Sequence, residues 1–313
     1  VTTIRDIARE SGYSVSTVSR VLNNKHHVSA EARLAIQQVI EQLDYVPNNI
    51  ARDLSKGRTE SIGVVLPHTN HPYFTQILDG ILAAAFVTDY RIVLLPSDYD
   101  ILREQSYLEQ LRCKVFDGLI FTSRRIELEI IKNYQKYGPI VCCEKLEDAN
   151  VLSVYSVREP AYLEAFQWLK KRGKNQGAIL LSRGEEISAT AKATMKAYRA
   201  FYQSEPDEKL VITGVTTYQD GYEAGEKLVR DYESFDYIFA NSDDDAAGIR
   251  QYYLDHDLSL PLIVGQENQL SGKLLKLPTI DHQLSKVGQH AFFLATKQST
   301  TTHIAVMSHF IPR

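Results

Sequence analysis

Residues 2–24 read Thr-Thr-Ile-Arg-Asp-Ile-Ala-Arg-Glu-Ser-Gly-Tyr-Ser-Val-Ser-Thr-Val-Ser-Arg-Val-Leu-Asn-Asn, two short amphipathic segments separated by one glycine. In the first, Ile4, Ile7 and Ala8 recur at helical spacing, Thr3 and Asp6 form a capping pair, and Gly12 marks the stop. In the second, Ser14 is placed to cap. Val18, Val21 and Leu22 face inward, which leaves Val15, Ser16, Ser19 and Arg20 outward. The pattern predicts a helix-turn-helix, although an ordinary helical hairpin with a solvated face would show the same two segments. A helix that reads DNA needs small or hydrogen-bonding residues at its N-terminal end to approach base edges. A guanidinium such as that of Arg20 can bind guanine through two acceptors at once.

The following stretch favours the first reading. Ser29 is placed to cap a third helix whose Ala32, Ala35, Ile36, Val39, Ile40 and Leu43 form an apolar stripe, enough to close a three-helix core. From Pro47 to Gly57 the chain reads as a helix of about two turns, with Pro at its start and Gly at its end. So short a helix is marginal in water and is expected to order only against a partner. Leu54, apolar in polar company, suits a minor-groove wedge as well as an incidental exposed leucine.

The chain resembles the LacI/GalR family of bacterial transcription repressors. The likeness rests on Thr-Val-Ser-Arg-Val-Leu-Asn at 17–23, His-Val-Ser at 27–29, Leu-Asp-Tyr-Val-Pro-Asn at 43–48 and Ser-Ile-Gly-Val-Val at 61–65, and it extends over nearly the whole chain. It implies a homodimer on a palindromic double-stranded DNA operator, with the hinge helices of two subunits paired in the minor groove. Leu54 would then be the wedge, with Ala51 and Arg52 beside it. The resemblance further implies that Val15, Ser16 and Arg20 read bases. Ser14, Thr17, Ser19, Asn23, His27, Ser29, Tyr45 and Asn48 would position the backbone, and Thr3 joins the DNA-facing set.

A chain of 313 residues is too long for one small core and fits a headpiece plus a body of two lobes. Residues 1–58 carry eight Lys and Arg against six Asp and Glu, net +2, which leaves −6 for the remainder of a chain whose formal charge is −4. So mild a basic balance makes DNA affinity a matter of shape and of two linked copies rather than of a dense positive field. Cys113, Cys142 and Cys143 have neither metal-type spacing nor a disulfide framework, as expected of buried thiols in a reducing compartment. No cationic leader with an apolar core precedes the first helix, and no apolar run reaches membrane-spanning length. The expectation is a cytoplasmic protein without membrane association and without a cofactor.

From about Ser61 apolar runs alternate with helical periods. Strands are expected at 61–67, 91–96, 118–122, 140–143, 176–181, 237–240 and 260–265, with helices near 73–87, 101–114, 125–137, 159–172, 188–202, 219–231 and 244–255. Two rounds of alternation predict an N-terminal all-α helix-turn-helix headpiece followed by an α/β body of two doubly wound parallel-sheet lobes. Ligands in such sheets bind at the carboxyl ends of strands. By resemblance the body is periplasmic-binding-protein-like and crosses between lobes near 157, 283 and 305. The expected division is headpiece 1–45, hinge 46–58, N-terminal lobe 59–157 with 284–305, and C-terminal lobe 158–283 with 306–313.

The cleft between the lobes is the expected effector site, for a sugar or related metabolite. Tyr73, Phe74, Ser123, Glu144, Thr194, Tyr218, Asn241, Asp243 and Glu267 are its candidate residues. Tyr73 and Phe74 suit an aromatic wall or plain core. Asp243 opens an Asp-Asp-Asp run that fits capping and the helix dipole better than a metal site. Departures from the family pattern stand beside these. Thr194 replaces the usual clamping Arg, Ser156-Val157 replaces Asp-Asn after the linker strand, and Glu267 replaces an Asp. A bidentate Arg and two carboxylates are what would grip vicinal hydroxyls, so the pattern leaves an unusual effector, a charged one, or none. A solute-binding protein could use the same body, but the headpiece argues against it. No phosphate loop, nucleophile elbow, His-Glu-x-x-His or Cys-x-x-Cys supports an enzyme.

Overall fold

Ile4–Ser11 (α1) begins where the sequence places it. The Thr3 side chain accepts from the Asp6 backbone while Asp6 reaches back to the Thr3 backbone, and Gly12 ends the helix at φ 74°, a conformation that favours glycine. Val15–Leu22 (α2) is capped by Ser14, and Ala30–Gln42 (α3) by Ser29. Ile7, Ala8, Val18, Val21, Ile36 and Val39 form the core among these helices. Leu43, expected in that core, is instead exposed, because α3 ends before it. The computed structural model describes residues 2–23, 27–46, 57–69, 71–146, 148, 150–232, 234–299 and 301–313. It divides into a unit over residues 1–59 and a unit over 60–313. The expected hinge helix at 47–57 falls almost wholly outside the described residues.

The second unit contains two six-stranded sheets. The first comprises Ser61–Leu66 (β1), Arg91–Pro96 (β2), Gly118–Phe121 (β3), Ile140–Cys142 (β4), Leu152–Val157 (β5) and His303–Met307 (β11), in the order β11-β5-β4-β3-β1-β2, all parallel. The second comprises Gly177–Leu181 (β6), Val211–Thr213 (β7), Tyr237–Phe239 (β8), Leu262–Gln266 (β9), Thr279–Asp281 (β10) and His309–Ile311 (β12), in the order β12-β10-β9-β8-β6-β7. Its edge strand β12 runs antiparallel to β10, which corrects the expectation of a wholly parallel sheet. Helices cover the faces: Pro72–Ala85 (α4), Ile101–Arg112 (α5), Leu128–Tyr134 (α6), Glu159–Lys170 (α7), Ala189–Tyr202 (α8), Tyr218–Asp231 (α9), Asp243–Asp255 (α10), Leu270–Leu274 (α11) and Leu284–Ala295 (α12).

Buried aliphatic runs such as Ile62, Val64 and Ile120 pack under α4 and α12, as continuous apolar strands with helices on both faces require. Those two helices cross at glycines. A Cβ on Gly80 would stand 1.9 Å from the Ser285 carbonyl oxygen, and one on Gly288 1.9 Å from that of Ile77. The chain passes from the first sheet to the second after Val157, returns after β10, and passes over again between Met307 and His309. The last crossing thus follows Met307 rather than residue 305. Side chains and backbone join the three crossings. The Ser156 hydroxyl donates to the His282 carbonyl at 2.7 Å, Ser308 N–H donates to the Val157 carbonyl at 3.1 Å, and His282 Nδ1 lies 3.1 Å from Ser308 Oγ.

Candidate functional site

In the headpiece, α2 presents Val15, 44 % exposed, with exposed Ser16 and Arg20. Ser14 Oγ lies 2.8 Å from Ser16 Oγ and 2.9 Å from Thr17 Oγ1, and accepts from Thr17 N–H at 3.2 Å, so these hydroxyls form one cluster at the helix start. The Asn23 amide donates to the Ser19 carbonyl at 2.8 Å and closes the other end. His27 and Ser29 are exposed before α3, while Tyr45 is half-buried against the helical core. The Thr3 hydroxyl is committed to Asp6, to which it donates at 2.7 Å. Asn48, Ala51, Arg52 and Leu54 lie outside the described residues.

In the body, loops at the carboxyl ends of both sheets enclose a cavity of about 430 Å³. That volume falls within the range of small-molecule sites. Six of the nine sequence candidates line it: Tyr73, Phe74, Ser123, Glu144, Asn241 and Glu267. Each follows from chain path. β1 leads into His71 and α4, β3 into Ser123, β4 into Glu144, β8 into Asn241, and β9 into Glu267. Phe74 anchors an aromatic wall, its ring centroid 5.1 Å from Tyr73, 5.4 Å from His71 and 6.4 Å from His68, with Tyr99 5.8 Å beyond His68.

Three candidates are elsewhere. Asp243 is fully buried inside the second lobe, accepting from Gln269 N–H at 2.7 Å and from the Thr279 hydroxyl at 2.6 Å. Thr194 is buried in α8, where its hydroxyl donates to the Thr190 carbonyl at 3.1 Å. Tyr218 is 45 % exposed at the start of α9 and does not line the cavity. The Asp243-Asp244-Asp245 run behaves as a cap: Ser242 and Asp245 form a capping box. Among the described residues there is no cluster of ligands for a metal ion.

The sequence reading missed the arginines. Arg124, Arg125, Arg158 and Arg183 all line the cavity. Arg124 Nε pairs with Glu144 Oε1 at 2.5 Å. Among the described residues Arg158 forms no ion pair. It donates to the Tyr73 hydroxyl at 3.2 Å, lies 5.6 Å from that ring's centroid, and is 3.3 Å from His282 Nε2. Arg183 lies over the Tyr99 ring at 4.4 Å. Their signal was positional: each sits one to four residues past a strand end, where a ligand would be, yet a loop arginine reads as ordinary solvation.

Electrostatics follow burial. Burial pushes the Glu267 carboxyl well above its ordinary range, Asp245 and Asp243 reinforce this, and Arg158 only partly opposes it. Glu267 thus holds its proton to higher pH than a solvated carboxyl would. Its Oε2 accepts from the Gln269 amide at 2.6 Å, and its backbone sits at φ 81°, a left-handed conformation that a non-glycine residue holds only under support. His282 is kept neutral, its pKa lowered well below the ordinary value by burial and by Arg158. Burial raises Tyr73 to about 12. The buried Cys143 thiol is pushed up as well, which makes it inert rather than nucleophilic.

Comparison with known proteins agrees with both halves. Residues 3–48 match the family model described as bacterial regulatory proteins, lacI family, and residues 59–308 match periplasmic binding proteins and sugar binding domain of LacI family. The chain is 38% identical over 291 residues to catabolite control protein B of Bacillus subtilis, covering 93% of each. It is 31% identical over 304 residues to catabolite control protein A of Priestia megaterium, covering 94% of this chain and 92% of that one. The lac repressor dimer bound to operator and the anti-inducer ONPF has the same fold, with a TM-score of 0.82 at 19% identity over 100% of this chain and 98% of that chain.

Proposed function

The chain belongs to the lacI family of bacterial regulatory proteins, a DNA-binding transcription regulator and not an enzyme, and from that premise we propose that it is a cytoplasmic repressor that grips a palindromic operator as a homodimer and answers to a small polar metabolite in the cleft. The observation that carries this reading is the joining of an exposed α2 face, bearing Val15, Ser16 and Arg20, to a body with an open, polar cavity. In this reading those three residues touch base edges, and Ser14, Thr17, Ser19, Asn23, His27, Ser29 and Tyr45 position the phosphate backbone. Tyr73, Phe74, Ser123, Glu144, Asn241 and Glu267 meet the effector.

One headpiece reads a half-site, so two are needed for firm binding, and linkage supplies the second at high effective concentration. Apolar surface on the body supports the pairing. Edge strand β2 exposes Val93 and Leu94, and Phe86, Val87 and Leu102 nearby in sequence are 89 %, 82 % and 75 % exposed. On the second lobe Leu270 and Leu274 are 70 % and 73 % exposed. An uncovered apolar edge is a liability that self-association removes. Among the described residues no helix is long and apolar enough to cross a membrane.

The test is selection of a duplex from a random pool, followed by gel shift and sedimentation. The expected result is an inverted repeat bound by a dimer. A monomer that holds a single half-site tightly would overturn the dimer, and a body that binds DNA without residues 1–58 would overturn the assignment of the headpiece.

A further inference from the structure

The cavity holds more positive charge than the chain itself neutralises. Arg124 is matched by Glu144, and His68 lies 3.7 Å from Asp98. Among the described residues no carboxylate pairs with Arg125, Arg158 or Arg183. Four arginines thus face three carboxylates on the wall, and the third of these, Glu267, forms no ion pair among the described residues, its Oε2 being taken by the Gln269 amide. A guanidinium withdrawn from water towards neutral groups lacks the compensation a carboxylate or a ligand anion would give it. Two structural features aim this excess inward. Arg158 is fixed by Tyr73 and His282, and Arg183 by its stacking on Tyr99. Helix α8, of 14 residues, also starts on the cavity wall with Ser188, Ala189 and Thr190, adding the positive end of its dipole.

We propose that the effector is a monosaccharide-sized metabolite carrying a phosphate ester, its anion bound by Arg158 and Arg183 and its ring set against Phe74 and Tyr73. This deepens the effector reading of the cleft and rests on it. A guanidinium fork matches a phosphate through two parallel N–H donors, and a dianion is the charge that two unmatched arginines call for. The aromatic wall supplies the flat apolar contact for a sugar ring, while Ser123 and Asn241 offer hydrogen bonds to its hydroxyls. A cavity of about 430 Å³ has room for such a ligand and none for a macromolecule.

The experiment is calorimetry on the full chain with ribose beside ribose 5-phosphate, mannose beside mannose 6-phosphate, glucuronate, and inorganic phosphate at constant ionic strength. The expected result is binding of at least one phosphorylated probe at least about tenfold tighter than its parent sugar, with Arg183→Met weakening it by about ten- to a hundredfold. Arg183 sits in a loop clear of the three crossings between the sheets, so this variant stays folded where Arg158→Met could unfold the chain; its melting point confirms that. Parent sugars that bind as well as their esters, glucuronate that binds better than any ester, an Arg183→Met protein that keeps full affinity, or silence from every phosphorylated probe would each overturn the proposal. A gel shift on the selected operator without metabolite tests the regulator reading independently.

Discussion

The guanidinium of Arg183, on the second lobe, lies 4.4 Å from the ring centroid of Tyr99, on the first. Deeper in the cleft Arg158 and Tyr73 repeat the pairing at 5.6 Å, and the Gln76 amide donates to the Glu267 carbonyl at 3.0 Å. These contacts span the cleft, Arg158 beside the crossings and Arg183 clear of them, so they bias how closely the lobes approach. A ligand can shift that approach only by its differential affinity for the two arrangements.

Replacing Tyr99 by Leu is therefore expected to loosen the rim. Loss of one partly exposed cation–π contact is worth about 0.5–1 kcal/mol. Hydrogen exchange of the loops at 97–100 and 182–188 should accelerate about two- to fivefold, with the strands of both sheets unchanged. Equal exchange in wild type and variant would show that the stacked pair holds nothing.

Arg20→Ala is expected to cost about 1–3 kcal/mol at one base pair of each half-site and to relax the choice of base there. Selection from a random pool reads this directly. An unchanged preference in the variant removes Arg20 from the base-reading set.

Asp243→Ala is expected to act on stability rather than on ligand affinity. It leaves the Thr279 hydroxyl and the Gln269 N–H buried without an acceptor, at a cost of about 1–3 kcal/mol. Urea unfolding should show the loss, while a probe bound in the cavity keeps its affinity for the folded variant. Weakened binding at full stability would return Asp243 to the site.

Two buried carboxyls give the stability a pH dependence. Burial raises Asp243 and Asp245 to about 7, against about 3.9 in an unfolded chain. Between about pH 4 and pH 7 the folded chain binds more protons than the unfolded one, so their contribution falls as pH rises through that window and levels off above it. Asp245→Asn keeps the acceptor oxygen that takes hydrogen bonds from Ser242 N–H, the Ser242 hydroxyl and Ala246 N–H. The urea midpoint of this variant should fall less steeply across the window than that of wild type. An identical slope would mean that Asp245 does not titrate there.

The headpiece was legible because its signals are local: Thr3 with Asp6, Gly12, and Ser14 act within one turn of the chain. Long apolar strands such as Ser61–Leu66 were legible for their continuous burial. Leu152–Val157, Val211–Thr213, Thr279–Asp281, His303–Met307 and His309–Ile311 were not read as strands, since they are short or half-polar and become strands only through neighbours distant in sequence. The cleft was half legible for the same reason. Strand-end aromatics and amides declare themselves, whereas Arg158 and Arg183 gain meaning only when two lobes bring them to one cavity where, among the described residues, no carboxylate pairs with them.

The strands His303–Met307 and His309–Ile311 complete different sheets, with only Ser308 between them. Synthesis runs from the other end, so each lobe waits for the same short stretch before its edge can close. The three helices of the headpiece finish their core within residues 4–42. On the ribosome the DNA-reading module therefore matures first, and the two lobes reach their final form together, in one late step.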